Sequence, residues 1–209
     1  MKKVLALLCL LPAPLAAQRL QFTFGGTGAQ EIVNSRVDPA FERLTGLVLG
    51  GEGLVMSDRL VGRLRYAQGH VTGAAGSSIT PRDIVEGEAL VGFRAMPWLT
   101  LWAGPSARAY TSANGDQRWF FWSGRATARG SLLPGRMQTF VELWSSLSGN
   151  VRTPATTASG RGAEAGLEMR LGQQAFWGRL AYSIESGHAT SKRETVEAIS
   201  LSLIYGLPQ

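Results

Sequence analysis

Val85-Glu86-Gly87-Glu88-Ala89-Leu90-Val91-Gly92-Phe93-Arg94 sorts its residues by parity. Val85, Gly87, Ala89, Val91 and Phe93 share one set of positions, and Glu86, Glu88 and Arg94 the other. Successive side chains of a β-strand point to opposite faces, so the segment reads as a strand with one apolar and one charged side. Leu90 is the one large apolar residue on the charged side. The same sorting recurs on either side of this stretch. Leu60, Gly62, Leu64 and Tyr66 alternate with Arg63 and Arg65; Phe176, Gly178, Leu180, Tyr182 and Ile184 alternate with Trp177, Arg179, Ser183 and Glu185. Residues 163–172 test the helical alternative. A helical face through Ala163, Gly166 and Leu167 would next bury Arg170, whereas period two collects Ala163, Ala165, Leu167, Met169 and Leu171 against Glu164, Glu168 and Arg170. The strand reading is the better one.

Extended along the chain, the pattern predicts strands over 19–26, 44–56, 59–72, 84–95, 98–111, 117–132, 136–148, 161–172, 175–187 and 195–206. Short turns fall at Ser57-Asp58, Met96-Pro97, Leu133-Pro134-Gly135 and Gln173-Gln174; longer polar links fall at 27–43, 73–83, 112–116, 149–160 and 188–194. Short turns alternating with longer links suit an even-stranded barrel with periplasmic turns and extracellular loops. The fold class is therefore all-β: a closed up-and-down antiparallel transmembrane β-barrel of about ten strands, with eight as the alternative. Asp38-Pro39-Ala40-Phe41-Glu42-Arg43 has an N-cap and a first-position proline, and predicts a brief surface helix. Pro105, inside the fifth strand, predicts a bulge.

The first seventeen residues read as a cleaved signal peptide. Lys2 and Lys3 precede an apolar run over residues 4–11, and Leu15-Ala16-Ala17 forms a small-residue cleavage site before Gln18. The run is far shorter than the roughly 20 residues of a spanning helix. An N-terminal helical anchor and a lipoprotein at Cys9 are the alternatives, the latter disfavoured by bulky Leu8 before the cysteine. Cleavage would leave one domain over residues 18–209 without a thiol, and so without disulfides or thiolate metal sites. No later segment offers 18 uninterrupted apolar residues, which leaves a barrel as the spanning structure. The formal charge of +6 falls to +4 with the leader, and Lys192 is then the only lysine. Arginines dispersed singly along an exported chain argue against a nucleic-acid partner.

The charged parity is also one-sided in composition. Arg63, Arg65, Arg94, Arg108, Arg125, Arg129, Arg170 and Arg179 share it with Glu86, Glu88, Glu142, Glu164, Glu168 and Glu185. These fourteen residues form the expected lumen charge network, because the guanidinium fork engages carboxylates bidentately and keeps its charge. The opposite face would meet outer-membrane lipid, where an arginine at mid-depth costs roughly 2–4 kcal/mol. Trp119, Phe121, Phe140, Trp144 and Trp177 lie on the charged parity and would fill a narrow lumen or sit at its rims. Phe120, Trp122, Phe176 and Tyr205 are candidates for interfacial girdles. Glycines 62, 87, 124 and 178, on the apolar side, are candidate curvature points.

Taken together, these features resemble small bacterial outer-membrane β-barrel proteins, in pattern rather than in a diagnostic motif. The resemblance covers the signal peptide and essentially the whole remaining chain, and implies residence in the outer membrane of a Gram-negative-type envelope. It also implies handling by the barrel-assembly machinery: Ile199, Leu201, Leu203 and Tyr205 look like the terminal strand that machinery reads, although Gly206-Leu207-Pro208-Gln209 extends beyond it.

Candidates for chemistry are few. His188, Thr190, Ser191 and Glu194 share a loop reminiscent of lipid-A deacylating barrels, but no histidine-x-serine motif occurs. His70, Asp83 and Asp116 lie near strand ends, and a rim protease would need them to converge. Gly25-Gly26-Thr27-Gly28 and Gly50-Gly51-Glu52-Gly53 complete no nucleotide fingerprint. The reading is a noncatalytic barrel with a charged, largely side-chain-filled lumen, serving structure, adhesion or narrow porin-like passage, with no catalytic, cofactor or metal residues. A soluble periplasmic barrel binding a hydrophobic ligand, and a lipid-modifying barrel enzyme, are the alternatives.

Overall fold

The computed structural model describes residues 20–37, 40–113, 115–152 and 156–206. The leader, residues 1–17, lies outside the described residues, as do Asp38 and Pro39. Ten strands follow in chain order: β1 (Gln21–Val37), β2 (Ala40–Ser57), β3 (Leu60–Thr72), β4 (Arg82–Met96), β5 (Leu99–Ser112), β6 (Gly115–Leu133), β7 (Met137–Arg152), β8 (Thr156–Arg170), β9 (Phe176–Ala189) and β10 (Lys192–Tyr205). Each pairs antiparallel with its sequence neighbours, and β1 pairs with β10 from Phe24↔Tyr205 to Val37↔Lys192, closing the barrel. A closed ladder has no free edge, and its hydrogen bonds open only together. Unboiled protein in detergent is therefore expected to run on gels at a different position from boiled protein; a single position before and after boiling would contradict closure.

The strands are longer than the alternation alone predicts. Of the expected long links, 73–81 carries no strand, whereas most described residues of the others are strand; residues 34–37 pair with 40–43, and 27–33 with 44–50, as the upper parts of β1 and β2. The helix expected at 38–43 is thus corrected where it can be seen, since Ala40, Phe41, Glu42 and Arg43 are strand. Polar residues on both faces hid these extensions, yet a strand rising past the membrane has a wet outer face and tolerates them. Pro105 is a second correction. β5 and β6 keep register through Pro105↔Trp122, and the irregularities fall between Arg94 and Met96, Trp122 and Ser123, Ser131 and Leu133, and Ser145 and Asn150.

Several glycines outside the four singled out in the sequence have the closest backbone neighbours. None of glycines 62, 87, 124 and 178 has a positive φ. Tight backbone approaches occur at other glycines, among them Gly46 and Gly69 between β2 and β3, where a Cβ would stand 1.9 Å from the His70 carbonyl oxygen and 2.3 Å from that of Leu47, and Gly104 on β5, 2.2 Å from that of Ala89. Only a residue without a side chain lets the two backbones bend together there.

The outer wall explains why the sheet closes this way round. Leu49, Leu64, Val91, Leu101, Val141, Leu143, Leu167, Leu180 and Leu201 point outward and are 44–69 % exposed. They belong to a continuous apolar belt running from the turns at 58–59, 97–98, 134–136 and 171–175 up to mid-barrel. Above the belt a collar of exposed arginines begins, with Arg36, Arg43, Arg118, Arg152, Arg161 and Arg193. Below that collar the one outward charge of the described strands is Glu197, at the upper border of the belt, where its carboxylate accepts from the Tyr182 hydroxyl at 3.0 Å. Burying such a belt in hydrocarbon is what makes the wall stable, so the chain is a transmembrane barrel of the outer-membrane type. By the convention of such barrels the turn end is periplasmic and the collar end extracellular. Aromatic rings mark both borders: Phe176 and Tyr205 contact each other with centroids 5.2 Å apart at the lower edge, and Trp122 is exposed near the upper one.

Candidate functional site in the lumen

With the apolar parity outward, each strand turns its other parity to the axis, and the inward side chains stack in layers. The lower-middle layer is ionic. Arg63 on β3 donates from both terminal nitrogens to Glu142 on β7 at 2.8 Å, across the lumen, and from Nε to Glu88 on β4 at 2.9 Å. Arg125 on β6 holds the same two acids, at 2.6 Å to Glu88 and 3.3 Å to Glu142. The Trp102 indole N–H donates to Thr127 Oγ1 at 2.9 Å, and that hydroxyl donates to Glu142 at 2.6 Å. Glu142 therefore accepts from three side chains and is 3 % exposed. Beside this cluster, Arg179 binds Glu168 at 2.7 Å and Glu52 at 2.6 Å, while Gln138 donates to Glu168 at 2.7 Å. Arg65 joins Glu52 and Glu164, and the Arg129 Nε approaches Glu168 at 3.8 Å. Higher up, Arg108 engages Glu86, Glu185 at 2.8 Å and Glu194 at 3.9 Å.

Twelve of the fourteen predicted residues thus meet an oppositely charged partner. Arg94 and Arg170 do so with none among the described residues. Arg94 points to the Met56 sulfur and Arg170 donates to the carbonyls of Gln173 and Gln174, because both sit at the periplasmic strand ends, where turn backbone is within reach. Glu31, Glu42, Glu52, Glu194, Arg82 and Lys192 also face inward and were absent from the sequence-derived set. Glu52 was detectable as the only charged residue between positions 44 and 57.

The aromatic residues on the charged parity are fillers and platforms. Trp119, Phe121, Phe140, Trp144 and Trp177 are all buried inside the barrel. The guanidinium of Arg125 lies 5.1 Å from the Trp144 ring centroid, that of Arg179 5.2 Å from Phe140 and that of Arg63 4.9 Å from Trp102. Such stacking leaves the fork free for carboxylates while covering its face. Glycines on facing strands make room for the rings: a Cβ at Gly92 would stand 2.4 Å from Trp102 and one at Gly162 2.2 Å from Trp144. Leu90, the intruder on its strand, packs with Met56, Val61 and Trp102 in an apolar cluster below the ionic layer.

Above the ions lies an apolar cap. Val33, Leu44, Val71, Ile84, Tyr110, Trp119, Val151 and Val196 form one buried cluster across the extracellular end. The Tyr110 hydroxyl donates to Glu194 at 2.8 Å, and Lys192 packs against the Trp119 ring. Between cap and ionic lattice remains a cavity of about 170 Å³, lined by Ala29, Glu31, Val48, Arg65, Glu86, Arg108, Phe121, Glu185 and their neighbours.

The rim candidates do not assemble. His188 lies outward, 3.1 Å from Ser186 Oγ, whereas Glu194 points inward to Tyr110. His70 meets Asp83 at 2.8 Å on the exposed outer wall, and Asp116 is two strands beyond Asp83. No cluster of three or more His, Cys, Asp and Glu suited to a metal occurs among the described residues.

No family model and no curated protein matches the chain. Solved structures do resemble it. The translocator domain of the autotransporter NalP from Neisseria meningitidis aligns with a TM-score of 0.48 at 10 % identity, over 90 % of each chain. The β domain of the Bordetella autotransporter BrkA gives 0.49 at 12 % identity, over 89 % of this chain and 98 % of that one. Ail, the attachment invasion locus protein of Yersinia pestis, gives 0.39 at 12 % identity, over 88 % and 99 %. Similarity at this level concerns the fold alone.

Proposed function

We propose that this barrel is a closed, noncatalytic outer-membrane scaffold that serves structure or adhesion rather than conduction. The reading rests on the bidentate Arg63–Glu142 bridge, which spans the lumen between nearly opposite walls with both residues buried. A solute on the axis would have to part those charges, and the unpaired state of a buried ion costs several kcal/mol. The apolar cap adds a second obstruction. Contact with other macromolecules is then left to the extracellular collar and loops, and the belt makes membrane lipid the constant partner. On the same reading, cleavage after Ala17 releases one domain over 18–209, and the assembly machinery engages the strand ending in Leu203 and Tyr205.

Planar-bilayer recording tests this directly. Purified barrel at neutral pH is expected to give no current steps above the lipid background, and well-defined unitary conductance would overturn the closed reading in favour of narrow passage. The soluble alternative needs the reverse sidedness, apolar within and charged without, so release from cells without detergent is not expected.

A further inference from the structure

The lumen's charges are balanced as a whole but not locally. The cavity beneath the cap is lined by six glutamates, Glu31, Glu52, Glu86, Glu88, Glu164 and Glu185, against four arginines, Arg65, Arg108, Arg125 and Arg179. Most of the acids are claimed by arginine, as described above. Glu31 is the exception: it is 4 % exposed, lines the cavity, and its Oε2 has no hydrogen-bond partner among the described residues. Leaving a buried carboxylate oxygen without a donor is costly, and native interiors provide one.

We propose that the cavity around Glu31 is a binding site for a small aliphatic amine in its ammonium form. Two features select that chemistry. No cluster of three acids or histidines suited to a metal is present among the described residues, so the site offers separated acceptors to N–H donors rather than a tight oxygen cage. Its remaining walls mix Ala29, Val48, Ala67, Phe121 and Trp144, which suit a short hydrocarbon body and the face of a cation, with Thr27, Ser106, Ser183, Ser200 and Ser202, whose hydroxyls add acceptors for N–H donors. The barrel already holds one ammonium group in this way: Lys192 Nζ lies 3.6 Å from Glu194 and 5.9 Å from the Trp119 ring centroid, at the top of the same lumen. The volume of about 170 Å³ suits a chain of a few carbons. The ligand reaches the chamber past the cap, so slow uptake accompanies a closed pore, and the site stands whether or not the barrel conducts.

The test uses the full folded barrel in detergent, with the heat-modifiable gel shift and calorimetric titration as readouts. Butylammonium is expected to raise the unfolding midpoint, on the order of 5 °C at about a hundred times Kd, and to titrate as one saturable site. Tetramethylammonium, which has no N–H to donate, is expected to do neither. Glu31→Gln is expected to abolish the butylammonium shift while raising the midpoint measured without amine. Should that variant fail to fold, the contrast between the two cations on the unaltered protein decides. Equal responses to both cations, a non-saturable titration, or an undiminished butylammonium shift in Glu31→Gln would overturn the assignment. Bilayer conductance is indifferent to these outcomes, so failure here leaves the closed-scaffold reading to its own test.

Discussion

Glu142→Leu is expected to destabilise the barrel by about 3–5 kcal/mol, the largest loss from any single lumen substitution. Glu142 is the acceptor for Arg63, Arg125 and Thr127, and no other acid replaces it for the terminal nitrogens of Arg63. The leucine fills the space but leaves two guanidinium groups in a dry interior with only Glu88 between them. A paired buried ion contributes little net stability; an abandoned one is expensive. The companion variant follows from the same geometry. Arg63→Leu with Glu142→Leu removes both ends of the cross-lumen bridge and leaves Arg125 on Glu88 at 2.6 Å. It is expected to recover most of the loss. Urea unfolding in micelles, run as a double-mutant cycle, gives the coupling directly. A cost below about 1 kcal/mol for Glu142→Leu would mean that water reaches the pair, and the lumen would then be open.

The cycle also bears on how the fold was written into the chain. Where one parity is charged and the other apolar, as in β3, β4, β8 and β9, both the strand and its sidedness are legible, because hydrocarbon tolerates only one of the two sets. β2 carries Leu44, Val48 and Met56 on one parity and Leu47, Leu49 and Val55 on the other. Period two cannot then say which side faces lipid, and Glu52 went unassigned. Glu31 was hidden differently, by lying in a polar stretch that reads as loop until β10 is laid beside it. Pairing is long-range information: Glu31 sits across from Ala198 in register, and the distance between them in sequence is most of the chain. The aromatic residues on the charged parity were an anomaly in one dimension and are platforms in three. What alternation could not supply was the partner of each guanidinium, since Arg63 meets an acid 79 positions away.

Sidedness itself has a sharper test in neighbouring residues. Arg179 points to the axis and binds Glu168, while Leu180 points out, 54 % exposed, between Leu167 and Leu201 on the flanking strands. Moving the charge by one position reverses its solvent. Leu180→Arg is therefore expected to cost about 2–4 kcal/mol in lipid, whereas Thr195→Arg, outward in the collar above the belt, is expected to cost about 0–1 kcal/mol. Both substitutions add the same side chain to the same wall, so the difference reports depth alone. Refolding into vesicles, with the unfolding midpoint in urea as the measure, separates them. Equal penalties would show that no hydrocarbon lies against Leu180; the inward turn of the arginines would then need a cause other than the membrane, and the apolar wall would have to be covered by protein.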